Sequence, residues 1–77
     1  MHVAAVARNI IASQLRVPAE RVTDDARWGE DLGADELERV EVVMAIEQAF
    51  HVDIDDAAIE SFATVGDLLR WLGHRVQ

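Results

Sequence analysis

The chain contains no cysteine, so it has no disulfide framework, no thiolate zinc site and no thiol nucleophile. Basic residues are scarce: seven arginines and no lysine stand against fifteen acids, giving a net charge of −8. That balance repels nucleic acid and anionic membranes and favours partners with basic surfaces. No apolar run approaches the roughly 18 residues that a membrane span requires. The opening stretch, MHVAAVARNIIASQL, is not a signal peptide, because Arg8 and Asn9 interrupt its apolar positions. What is present is a chain of 77 residues, 51% apolar, the composition of a folded domain rather than a disordered segment. Residues 1–77 are expected to form a single domain. A domain of this size buries only about 60% of its unfolded surface and leaves no room for a deep catalytic cavity. The expectation is a cytoplasmic, acidic, monomeric protein, and the all-arginine basic set points to a GC-rich bacterial source.

Apolar spacing organises the chain into helices. Val3, Val6, Ile10, Ile11 and Leu15 recur at helical intervals, with Arg8, Asn9 and Gln14 between them, and predict a first helix over residues 2–15. Pro18, the only proline, stops that pattern. Residues 16–35 show no period. Thr23, Asp24, Asp25, Gly29 and Gly33 are turn formers, and Val22, Trp28 and Leu32 are the expected pins of a long loop. Asp35 is a good N-cap, with Glu38 three residues on, for a second helix running to residue 50 or 51. A short third helix fits residues 55–61, with Ile59 and Phe62 inward. A fourth starts at Thr64, where Thr64 and Asp67 repeat the capping pattern and Leu68, Leu69, Leu72 and Val76 form a buried stripe. The fold class is all-α, a small four-helix bundle with a long first loop.

The second helix is apolar on two sides. With successive residues about 100° apart, Val42, Val43, Ile46, Ala49 and Phe50 gather on one side. Leu37, Val40 and Met44 gather opposite, joined by Glu41 and Gln48 with Glu47 at the margin. Either other helices cover both faces, or the second face is a docking strip of apolar anchors ringed by carboxylates. Charge favours the strip: residues 30–60 hold eleven of the fifteen acids and one base, Arg39.

Catalytic and metal motifs are missing. An EF-hand loop counted from Asp53 would need glycine and glutamate where Ala58 and Thr64 stand. His2, His51 and His74 lack metal-ligand spacing, so no metal site is expected, and His51 reads better as a cation at a helix C-terminus. No nucleophile triad, phosphate loop or dinucleotide fingerprint occurs, and no enzyme activity is expected. Trp28 reads as a core anchor and Trp71 as partly exposed.

The stretch EDLGADELERVEVVMAIEQAF resembles the acyl carrier protein family, whose site pattern is D-L-G-x-D-S-L followed by an acidic helix. The likeness extends over the whole chain through the Ile10-Ile11 pair, VTDDARW, DIDD and TVGDLL. It implies a four-helix bundle with a long first loop. In the family the serine of D-S-L carries a 4′-phosphopantetheine arm; here the motif is Asp35-Glu36-Leu37. Glu36 has no hydroxyl for the phosphodiester, so the expectation is that no cofactor, 4′-phosphopantetheine included, is attached. Its charge at a helix N-terminus is favourable in itself and places an anion near the family's phosphate position. Arg39, His51 and Asp55 also depart from the family pattern, as in a diverged member.

The resemblance implies partners that recognise carrier proteins through basic grooves. The partner-binding set is Asp35, Glu36, Leu37, Val40, Glu41, Met44 and Glu47. The function expected is a non-enzymatic scaffold, regulator or decoy in fatty-acid or polyketide-type biosynthesis. The alternative is a carrier of such a pathway, blocked at its site or loaded by unusual chemistry.

Overall fold

Four helices form where spacing and caps call for them in the computed structural model, which describes residues 2–76. They are α1 (Val3–Leu15), α2 (Glu36–Phe50), α3 (Asp56–Ser61) and α4 (Val65–Arg75), with a 3₁₀ turn at Ala19–Arg21. The architecture is the expected all-α bundle. Among the described residues extended pairing is limited to an isolated antiparallel bridge between Arg27 and Thr64. One continuous apolar core runs through it, centred on Ile11, Val42, Ile46, Val65, Leu68 and Leu72.

The first helix packs chiefly on α2 and then on α4, and it does so through Ala7, Ile11, Ala12 and Leu15. That corrects the expected stripe: Val6 is 38% exposed and Ile10 half-buried. A pattern drawn from large side chains gives no weight to alanine, and here alanines occupy the line of closest helix approach. Ala49, expected in the core, departs the other way and lies at the surface. Val6, Ile10, Ala45 and Ala49 instead line an open groove between α1 and α2.

Side chains cap the N-termini of α2, α3 and α4, but not that of α1. Asp35 accepts the Glu38 N–H at 2.8 Å while Glu38 accepts the Asp35 N–H at 3.1 Å, a reciprocal box at the start of α2. Thr64 and Asp67 repeat it on α4, and Asp55 caps α3 through the Ala58 N–H. At the C-termini of α1 and α2 the caps are Arg16 (φ 58°) and His51 (φ 55°), both left-handed.

The long connection is held from several sides. Val22, Trp28 and Leu32 are buried as expected, joined by Ala26 and Ala34. Two amides of the first turn of α4, which no helix can satisfy internally, are used by the loop: Val65 N–H donates to the Ala26 carbonyl at 3.0 Å and Gly66 N–H to the Asp24 carbonyl at 2.7 Å. A Cβ on Gly66 would lie 2.7 Å from that Asp24 oxygen, so the approach depends on glycine. From α1, Arg8 donates to the Val22 carbonyl at 2.9 Å and pairs with Asp24. The Trp28 indole N–H donates to the Phe62 carbonyl at 3.1 Å, fixing the loop to the end of α3. Phe62 in turn meets the partly exposed Trp71 edge-on at 6.3 Å, and Arg75 covers the outer ring face of Trp71.

Candidate docking site on the second helix

Because α2 turns about 100° per residue, its inner face (Val42, Val43, Ile46 and Phe50) is buried while Leu37, Val40 and Met44 face outward. The three are 67%, 44% and 52% exposed, so the reading in which both faces are covered within the chain does not hold. Large apolar side chains this open, in a row on one helix, are a surface that water solvates poorly.

The acids around that row differ in how free they are. Glu36 and Glu41 are exposed and make no hydrogen bond or ion pair among the described residues. Asp35 and Glu38 are committed to the capping box. Glu47 is half-buried, and its carboxylate accepts the Ile54 N–H at 2.8 Å. Arg39, the one base of residues 30–60, is tied back to the fold. Its side chain is half-buried and its guanidinium donates to the Phe62 carbonyl at 3.3 Å. Neither the Glu47 nor the Arg39 contact has a signal in the sequence, because each partner lies on a different element and is a backbone group.

Away from the row, two carboxyls are held below the ordinary carboxylate range. Asp31 is lowered first by the Arg27 backbone N–H and then by the Arg27 side chain. Asp67 is lowered first by the Thr64 N–H, against some burial, and then by the Ala63 N–H and Arg70. The three histidines do not converge. His2 precedes α1, His51 caps α2 and His74 lies in the last turn of α4. Among the described residues no three His, Asp or Glu side chains are grouped to hold a metal ion, and no helix is long and apolar enough to cross a membrane.

An acidic, apolar helix opening on a D-x-L motif, after a long pinned loop, is the arrangement to compare with known proteins. The profile of the phosphopantetheine attachment site matches residues 5–72. The chain belongs to that family. It is also similar to an acyl carrier protein from Wolinella succinogenes, 43% identical over 65 residues that cover 84% of this chain and 86% of the relative.

This membership corrects the expectation that no cofactor goes with the chain: the family is one that bears phosphopantetheine. The serine that carries the group in the family corresponds, by the resemblance, to position 36. There the structure places an exposed carboxylate on the first residue of α2. Ser61 donates its hydroxyl to the Ala58 carbonyl at 2.6 Å, and Thr64 caps α4. The side chain at position 36 itself carries no hydroxyl.

Proposed function

We propose that the chain is a non-enzymatic, single-domain member of the acyl carrier protein family that acts by docking. The outer row of α2 (Leu37, Val40 and Met44, edged by Asp35, Glu36, Glu41 and Glu47) enters a basic groove on an enzyme of fatty-acid or polyketide-type biosynthesis. The protein works as a monomeric scaffold or regulatory subunit in the cytoplasm. The exposure of three large apolar side chains beside free carboxylates supports this reading most directly. Apolar anchors supply affinity once desolvated, while the carboxylates steer encounter and orient the complex.

A second reading is favoured by the match to the attachment-site family: the chain serves as a carrier in such a pathway, with the same row as its docking face. Intact mass of the protein purified from its own host separates the two. A phosphopantetheine increment assigns the carrier role; an unmodified mass leaves docking alone.

Docking itself is tested by titrating the chain against a carrier-recognising phosphopantetheinyl transferase at low and high salt. Affinity should fall with salt. Met44→Ala should cost about 1–2 kcal/mol, a five- to thirtyfold loss, and Glu41→Lys should slow association. Salt-independent binding that neither substitution weakens removes the proposal.

A further inference from the structure

Charge changes sign along the chain. Residues 30–60 hold eleven acids and one base, whereas residues 68–77 hold no acid and carry Arg70, His74 and Arg75. With about 100° between successive residues, Arg70, Trp71, His74 and Arg75 fall within about 140° of arc on one side of α4. They lie outside its buried stripe of Val65, Leu68 and Leu72. The three bases are exposed and Trp71 is half-buried.

The side chains of this patch are rich in unused donors. The Arg75 guanidinium sits over the Trp71 ring, 4.6 Å from its centroid, and pairs with no acid among the described residues. Arg70 spends part of its five-donor fork on Asp67. That carboxylate is itself filled, because its other oxygen accepts the Ala63 and Thr64 N–H groups at 2.9 and 3.1 Å. The Trp71 indole N–H has no acceptor among the described residues. No buried side-chain nitrogen or oxygen there lacks a partner, so this N–H opens to solvent. The helix dipole accounts for cations in the last turn, which are His74 and Arg75. It does not account for Arg70, more than a turn before the end, nor for a large aromatic ring held half-open with its donor unused.

We propose that this end of α4 is a second docking surface, opposite in sign to the α2 row, and that it takes a short acidic segment of a partner protein. Carboxylates of the segment meet Arg70, Arg75 and the Trp71 N–H, and an apolar side chain between them meets the open part of the ring. Guanidinium–carboxylate bonds are of the strong, charge-assisted kind, and a half-open indole is a typical amphipathic anchor. A nucleic acid or an anionic membrane would extend past the patch onto a chain that carries −8. A short segment stays within about one Debye length of α4, about 8 Å at physiological salt. None of the four residues belongs to the α2 row, so this surface stands whether or not that row docks. With both in use, the chain bridges a basic partner and an acidic one.

The experiment follows the backbone and indole N–H resonances of the full chain by NMR as a capped peptide, Glu-Glu-Leu-Glu-Glu, is added. Saturable shifts should centre on the Trp71 indole N–H and the amides of residues 70–76, with the Trp28 indole unmoved. Binding should weaken as salt rises. The double variant Arg70→Gln with Arg75→Gln should weaken it about tenfold or more. Trp71→Phe, which keeps a ring and removes the donor, should weaken it about threefold. Met44→Ala, on the α2 row, should leave it unchanged, and unmoved α1 resonances show that each variant is folded. The proposal is overturned by no saturable shift, by shifts centred elsewhere, by equal shifts with Gln-Gln-Leu-Gln-Gln, or by a double variant that binds as the parent does. Phosphatidylglycerol vesicles or a short DNA duplex that move the same resonances at lower concentration than the peptide also overturn it, and assign the patch to a polyanion.

Discussion

The Glu47 carboxylate accepts the backbone N–H of Ile54, seven residues on, at 2.8 Å. The bond joins the last turn of α2 to the segment leading into α3, where Ile54 is only 6% exposed. Removing the acceptor leaves a partly shielded amide without its partner, a loss of about 1 kcal/mol. Glu47→Ala should therefore lower the melting temperature by about 4–8 °C for each kcal/mol lost. Glu41→Ala, six residues earlier and without a hydrogen bond or ion pair among the described residues, should leave it unchanged. Thermal unfolding followed by circular dichroism checks both; equal effects would mean that the Glu47 bond contributes nothing.

Gly66 and Gly73 lie on the same helix and should respond in opposite directions to alanine. A Cβ at Gly66 meets backbone atoms of Asp24, which cannot rotate away, whereas one at Gly73 meets nothing within 4 Å. Gly66→Ala should destabilise by about 1–3 kcal/mol through forced displacement of the loop. Gly73→Ala should stabilise by about 0.5–1 kcal/mol through helix propensity and a less mobile unfolded chain. Urea unfolding midpoints measure both.

The depressed ionisation of Asp67 makes part of the stability depend on pH. A carboxyl whose folded value lies below its unfolded one binds protons more weakly when folded. It therefore stabilises above the ordinary carboxylate value of about 4, and that share is lost as pH falls through the folded value. Asp67→Asn keeps acceptors for Thr64 and Ala63 but no charge. The stability gap between parent and variant should be constant from pH 7 to 5 and close below about pH 4. A gap that does not change through the acid range would show that the charge plays no part.

Much of this architecture is legible in the chain because the signals are local. Asp35 with Glu38 and Thr64 with Asp67 mark helix starts through bonds spanning three residues, and Val22, Trp28 and Leu32 stand out as apolar residues in an otherwise polar loop. The two-sided character of α2 follows from the angular spacing, whereas the exposure of Leu37, Val40 and Met44 is settled by how the other helices pack. What is hidden involves position in space. Val6 and Ala7 are neighbours in sequence, and only the approach of α1 to α2 decides that the alanine goes inside. The left-handed cap at His51 carries no glycine to announce it. Arg39 and Glu47 look like free charges on an acidic helix until the backbone groups of Phe62 and Ile54 arrive beside them. The cofactor expectation erred differently: it was drawn from one residue, whereas membership rests on residues 5–72.

The division of α2 into an inner face and an outer row also bears on how such a protein changes over time. Val42, Val43, Ile46 and Phe50 hold the bundle together, and none of them belongs to the row formed by Leu37, Val40 and Met44. Substitutions on an exposed face typically shift stability by no more than about 0.5 kcal/mol. A lineage can therefore change the outer row by single steps, with every intermediate still folded. Arg39 and Glu47 set the boundary of that freedom, because each is rooted in the fold on the same helix as the row.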